Sequence, residues 1–206
     1  MNKYWQEIEE IFKPQNYQDL FKLNEGASQS ELEDLESLIG VQLPQSVKDF
    51  YRVHNGQEPY WQNKQSSPGM FFDWGFSSIK EVVRDWQTWH QLQDMNQDMT
   101  DDMSSYPKGH IKNLYTNDGW IPLIDDAGGN HVGIDLDPDV RGVPGQVIIF
   151  GRDEDEKRLI ANSFTEFLEK YLFWLKNKQW KISDSQEWQI DSRDYQKFFY
   201  SYHKIK

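Results

Sequence analysis

The chain has 206 residues, 22 basic and 34 acidic, a formal charge of −12, and no cysteine. That length suits one hydrophobic core, the missing cysteines exclude disulfides, thiol nucleophiles and Cys-ligated metals, and the negative charge argues against broad nucleic-acid binding, which depends on Lys and Arg. No apolar h-region follows Met1 and no run approaches ~18 apolar residues, so a cytoplasmic chain without a membrane span is expected. From the N-terminus, Tyr4, Trp5, Ile8, Ile11 and Phe12, then Tyr17, Leu20 and Phe21, keep a three-to-four spacing interrupted at Pro14, which predicts two short packing helices. Ser28 and Glu31 form a capping box ahead of the stripe Leu32, Leu35, Leu38 and Ile39, with Gly40 as the stop. Pro44 opens a further helix carrying Val47, Phe50, Tyr51 and His54 up to Asn55-Gly56.

Residues 57–69 read as irregular, with Met70-Phe71-Phe72 as a short strand. Ser78 and Glu81 repeat the capping box, and Ile79, Val82, Val83, Trp86, Trp89 and His90 share one helical face. Asp94–Tyr106, with four aspartates and no apolar stripe, is expected to be a mobile, exposed acidic insertion. The period then changes toward two. Short β runs are predicted at Ile111–Tyr115, Trp120–Ile124, His131–Leu136, Gln146–Phe150 and Arg158–Ala161, joined by Asn-Gly-Asp turns into an antiparallel meander. Ser163 and Glu166 suggest a third capping box, followed by a helix to about Asn177. The class is therefore α+β: a single domain over 1–178 with a sheet of about four to six strands on helices, and 179–206 as a basic, aromatic-rich extension packing on it. Residues 170–206 carry a net charge of +4, leaving −16 on the rest. Such acidity either keeps the protein soluble or faces a basic partner.

The segments Gly26-Ala27-Ser28, Gly40-Val41-Gln42-Leu43-Pro44 and Phe50 to Gly56, followed by Trp120-Ile121-Pro122-Leu123, Asp126 to Pro138, Gly145 to Ile148 and Ser163 to Leu168, lie in one order and spacing. Over residues 24–176 this order resembles the SUKH superfamily, named from the yeast Smi/Knr regulators of cell-wall glucan synthesis. The resemblance implies a binding module rather than a catalyst. Bacterial members are immunity proteins against polymorphic toxins, often nucleases or deaminases, and fungal relatives are interaction scaffolds. An immunity protein masking a basic toxin domain is the leading expectation. A signalling or cell-wall-regulatory scaffold is the alternative, and a small-molecule-binding domain or unrecognised enzyme the third reading.

Asp125, Asp126, Asp135, Asp137 and Asp139 form the densest carboxylate group. Counted from Asp135, Val140 and Gln146 occupy the positions where a calcium loop needs Gly and Glu, so turn chemistry or an acidic binding rim is favoured over a metal site. Asp126-Ala127-Gly128-Gly129-Asn130 lacks the Lys-Ser/Thr of a phosphate loop. No His pair or nucleophile elbow is present, so no catalytic residue, metal or cofactor is expected. Trp86, Trp89, Trp120 and Trp174 read as core, whereas Tyr60, Trp61 and Trp74 lie in loop-like sequence and either seal a core edge or contact a partner. Tyr60, Trp61, Trp74, Asp125, Asp126, His131, Asp135, Asp137 and Asp139 are the candidate partner-binding residues, expected to adjoin at one end of the meander.

Overall fold

A computed structural model describes residues 1–14, 16–59 and 67–200. Pro14 divides the first segment into α1 (Asn2–Ile11) and α2 (Tyr17–Phe21). Ser28 and Glu31 close a full capping box on α3 (Gln29–Ile39), which stops at Gly40 with φ +73°. Leu32 and Leu35 of its stripe are buried, but Leu38 faces solvent. Pro44 lies just before α4 (Gln45–Tyr51). His54 falls beyond that helix and packs edge-on against Trp5, with its ring nitrogens on the Tyr17 hydroxyl and the Asn24 carbonyl.

Among the described residues the main sheet has six strands in the order β1-β3-β4-β5-β6-β2. These are β1 (Gly75–Phe76), β2 (Ser104–Tyr106), β3 (Trp120–Asp125), β4 (Asn130–Asp135), β5 (Gln146–Gly151) and β6 (Glu156–Ala161). All pairs are antiparallel except β2 with β6. Val132, Ile134, Val147 and Ile149 face the main core with α1, α4 and α7 (Phe164–Asn177), while Trp120, Ile148, Phe150 and Leu159 face a second, smaller cluster. A register shift between Pro122 and Ile124 lets the consecutive Leu123 and Ile124 both join the main core.

Three expected elements differ. Met70–Phe72 is a turn closed by a bridge between Phe71 and Trp74; Phe72 has φ +64°, which breaks an extended pairing, and the strand moves to Gly75–Phe76. Ile111–Tyr115 is not a strand: Leu114 donates only as far as the Lys112 carbonyl, and Ile111 and Leu114 press onto the second face of the sheet. The Asp94–Tyr106 segment keeps its four aspartates exposed but is anchored. Short turns around α6 (Asn96–Met99) lead into β2, Met103 is buried, and the Asn96 side chain bonds the backbone of Thr116 at both its amide and its carbonyl.

α5 (Ile79–His90) begins with the Ser78–Glu81 capping box, and its first N–H donates to the Asn55 side chain. At α7 only half of the expected box forms: Ser163 accepts from the Glu166 amide, while the Glu166 carboxylate turns to Asn162 and Lys170. The C-terminal segment is both strand and helix, a hairpin of β7 (Trp180–Ile182) and β8 (Trp188–Ile190) followed by α8 (Ser192–Tyr200). Trp188 and Phe199 enter the main core, and Phe72 meets the Trp188, Phe198 and Phe199 rings at 5.5, 5.0 and 5.7 Å.

Gln57, 1% exposed, fastens the β1 side of the sheet. Its amide donates to the Phe76 carbonyl at 2.7 Å, its Oε1 accepts from Met70 and Phe76, and its Nε2 donates to the Phe21 and Pro68 carbonyls.

Candidate functional site

The register separates the sequence-derived candidates. Asp125 pairs with His131 at one end of the β3–β4 hairpin and Trp120 with Asp135 at the other. Six-residue strands put these ends roughly 17 Å apart at ~3.3 Å per residue. Asp125, Asp126 and His131 therefore do not share an end with Asp135, Asp137 and Asp139, which corrects the expected single rim. Asp135 is fully buried, accepting from the Gln146 side chain and the Asp137 amide, and burial raises its pKa to about 6. Asp137 lies exposed against Lys112 at 2.6 Å, and Asp139 accepts from the Val140 amide. Trp74 is an internal seal rather than an exposed anchor: it is 4% exposed, stacks on Phe199 and donates Nε1 to the Tyr195 hydroxyl at 2.6 Å. Tyr60 and Trp61 lie outside the described residues.

The Asp125 end builds a cleft of about 450 Å³ between the last turns of α5 and the β3–β4 turn. That turn follows from its sequence. Asp125 Oδ1 accepts from the Ala127 amide, and Asp126 accepts from the Gly128 and Asn130 amides. Ala127, at φ +62°, and Gly129, at φ +98°, supply the left-handed positions. Asn130 joins this turn to the neighbouring β5–β6 turn, donating to Asp126 and Asp153 and accepting from the Asp153 amide. Opposite, α5 is held by Trp86 Nε1 on the Asp118 carbonyl and by the Thr116 hydroxyl on the Trp89 carbonyl. His90 stacks on Trp86 and contacts Asp118 on the exposed side, away from the core face expected of it.

The cleft combines an aromatic wall with a charged floor. The Trp89 ring lies 5.6 Å from Tyr115 and 6.1 Å from His131. Arg84 grips Asp85 through Nε and Nη2 at 2.8 and 3.1 Å. Burial lifts the Asp125 pKa to about 6, reinforced by the Asp85 and Asp126 charges and opposed by the Ala127 N–H and by Arg84. Burial also lowers the pKa of His131, keeping the imidazole neutral. His131 is 4% exposed, and its Nδ1 has no hydrogen-bond partner among the described residues. Among the described residues no three His, Cys, Asp or Glu side chains converge as metal ligands. Such a cleft suits recognition of a polar group with an apolar or planar body.

Sequence reasoning singled out Asp125 and His131 here but missed Arg84, Asp85, Tyr115 and Arg152. Arg84 and Asp85 look like ordinary polar positions on an amphipathic helix, and only the register of the hairpin against α5 brings them to the cleft. Trp89, read as core, is buried and also forms the wall.

The sequence profile of the SMI1/KNR4 family (SUKH-1) matches residues 26–170, spanning α3 to the first half of α7. The chain belongs to the SMI1/KNR4 family. Several curated family members are similar over most of its length. The cell wall biosynthesis/cell cycle regulator smi1 of Schizosaccharomyces pombe is 29% identical, covering 89% of this chain and 38% of its own. The glucan synthesis regulatory protein of Neurospora crassa is 28% identical over 87% of this chain and 39% of its own. The cell wall assembly regulator SMI1 of Saccharomyces cerevisiae is 27% identical, covering 80% and 38%. The SMI1/KNR4 chain described here thus spans about two fifths of the length of these relatives. No described helix is long and apolar enough to cross a membrane.

Proposed function

We propose that this SMI1/KNR4 chain is a non-catalytic protein-binding module with a regulatory task inside the cell. The observation that carries the reading is the family match over residues 26–170, together with relatives along most of the chain that are named as cell-wall and glucan-synthesis regulators. Those names favour the regulatory scaffold over toxin immunity, and none of them speaks for a toxin partner. The cleft agrees with binding rather than turnover, because the acids and base that line it are a buried histidine, an aspartate clamped by Arg84 and an aspartate tied into a turn, with no nucleophile set against them among the described residues.

The test has two arms. The chain is used as bait in its native host, and every protein recovered is purified and measured for direct binary binding. The purified chain is then screened for hydrolase, transferase and nuclease turnover with and without divalent metals. Direct micromolar or tighter binding without turnover is expected. Turnover lost in folded Asp125→Asn and His131→Phe variants would refute the module, and a basic toxin domain as the sole binary partner would restore the immunity reading.

A further inference from the structure

The cleft at the β3–β4 turn is incomplete as a hydrogen-bonded structure. His131 is buried, lines the cleft and leaves Nδ1 without a partner among the described residues, although buried polar atoms in folded proteins are nearly always paired. The neighbouring Ile124 carbonyl favours a proton on the other ring nitrogen. With the ring neutral, Nδ1 is then an acceptor. On the same hairpin, Asp125 Oδ1 accepts from the Ala127 amide at 2.9 Å, and the residue lines the cleft. One buried acceptor thus stands without a donor among the described residues, beside an aspartate that lines the same cleft.

The charges around them select the donor's sign. Asp85 and Asp126 add negative potential at both Asp125 and His131. Arg84 offsets it, but its guanidinium is committed edge-on to Asp85. Arg152 stands at the rim, exposed and 3.9 Å from Asp153. At Asp125 and His131 the charges of Asp85 and Asp126 outnumber that of Arg84, and Arg152 stays on the exposed rim, so the floor favours a cation over an anion. The wall narrows the choice further, since Trp89 and Tyr115 both line the cleft and aromatic rings attract a planar cation with several donors.

We propose that this cleft receives one arginine side chain of a partner protein, its guanidinium donating to Asp125 and His131 and lying against Trp89 and Tyr115. The inference rests on the protein-binding reading and supplies an anchor for it. A volume of about 450 Å³ accommodates the long side chain with part of its flanking backbone.

The test is an NMR titration of the full chain with N-acetyl-arginine amide, using N-acetyl-citrulline amide as the neutral isostere. Saturable shifts are expected at the Trp89 indole and the 127–131 amides with arginine and not with citrulline. Asp125→Asn should weaken them roughly tenfold or more, as expected for loss of one member of a buried charge pair. Thr88→Trp, on the exposed turn of α5 that borders the cleft, should abolish them by blocking the mouth without touching the floor. No saturable shift, equal shifts with citrulline, or unaltered binding in Thr88→Trp would each overturn the proposal. If both variants hold a purified binary partner as tightly as wild type, the arginine anchor fails and the binding module stands. Guanidinium-dependent shifts in a chain with no binary partner would overturn the partner itself, and assign the cleft to a small guanidinium compound.

Discussion

Replacing Trp188 by alanine asks whether the C-terminal hairpin is an ornament or a part of the core. Trp188 is 7% exposed, its ring meets Trp180, Phe72 and Phe12 at 5.2, 5.5 and 6.0 Å, and its Nε1 donates to the Gly69 carbonyl at 2.8 Å. Truncating a buried tryptophan to alanine costs ~3–5 kcal/mol through lost transfer energy and the cavity left behind. The orphaned Gly69 carbonyl pushes the value toward the upper end, because an unpaired buried acceptor costs ~1–3 kcal/mol. Against a total stability of ~5–15 kcal/mol this is a large fraction, and the melting temperature should fall on the order of 10 °C. Trp188→Phe, which retains a ring but not the hydrogen bond, should cost only ~1–2 kcal/mol. The assay is urea unfolding followed by far-UV circular dichroism and by tryptophan fluorescence, with coincident single transitions expected. A shift below ~1 kcal/mol, or two transitions of which the larger ignores the substitution, would refute the reasoning and make residues 179–206 a separable extension.

Other outcomes follow from single features. The pKa of Asp135 is about 6 in the folded chain, above its unfolded value, so protonation favours the fold as pH falls through 6. Between pH 8 and pH 5 the stability of wild type relative to Asp135→Asn should therefore rise by ~1.4 kcal/mol, read from unfolding curves at each pH. Gly133→Ala should cost ~3 kcal/mol or prevent folding, because its Cβ would stand 2.1 Å from the Ile121 carbonyl oxygen of the neighbouring strand; near-wild-type stability would count against the β3–β4 register. Ser78→Ala removes the acceptor for the Glu81 amide at the start of α5 and should cost ~1 kcal/mol in the same unfolding assay.

The helices were legible because their signals are local. The capping boxes at Ser28 and Ser78 and the stop at Gly40 depend on neighbours within four residues, and each appears where its sequence places it. The central strands were legible from alternation, which puts Val132 and Ile134 opposite His131 in chemistry as well as in space. Local rules failed where tertiary contacts decide. Ile111 and Leu114 have strand-like composition but serve as a cover on the sheet, and Met103 anchors a segment whose aspartates mark it as solvated. The candidate site was half legible. Turn chemistry flagged Asp125 and Asp126, but period-two reasoning says which face a strand residue occupies and not which end of the hairpin, so Asp135 and Asp137 were grouped with them. Arg84 and Asp85 reach the cleft only through the packing of α5, which no pattern within the helix encodes.

Gln57 has a consequence for how this molecule meets others. Sheets grow by offering vacant N–H and C=O groups along an outermost strand, and two copies of a chain pair there most readily. Gln57 occupies that position beside Phe76 with its own amide and side-chain oxygen, imitating a further strand with a single residue. At the opposite border β2 contributes only Ser104–Tyr106, and Pro107, which lacks an N–H, follows at once. A polypeptide that approached either border would find little template to extend. Growth by strand addition is thereby disfavoured at both borders, which guards against promiscuous polymerisation when the chain is crowded.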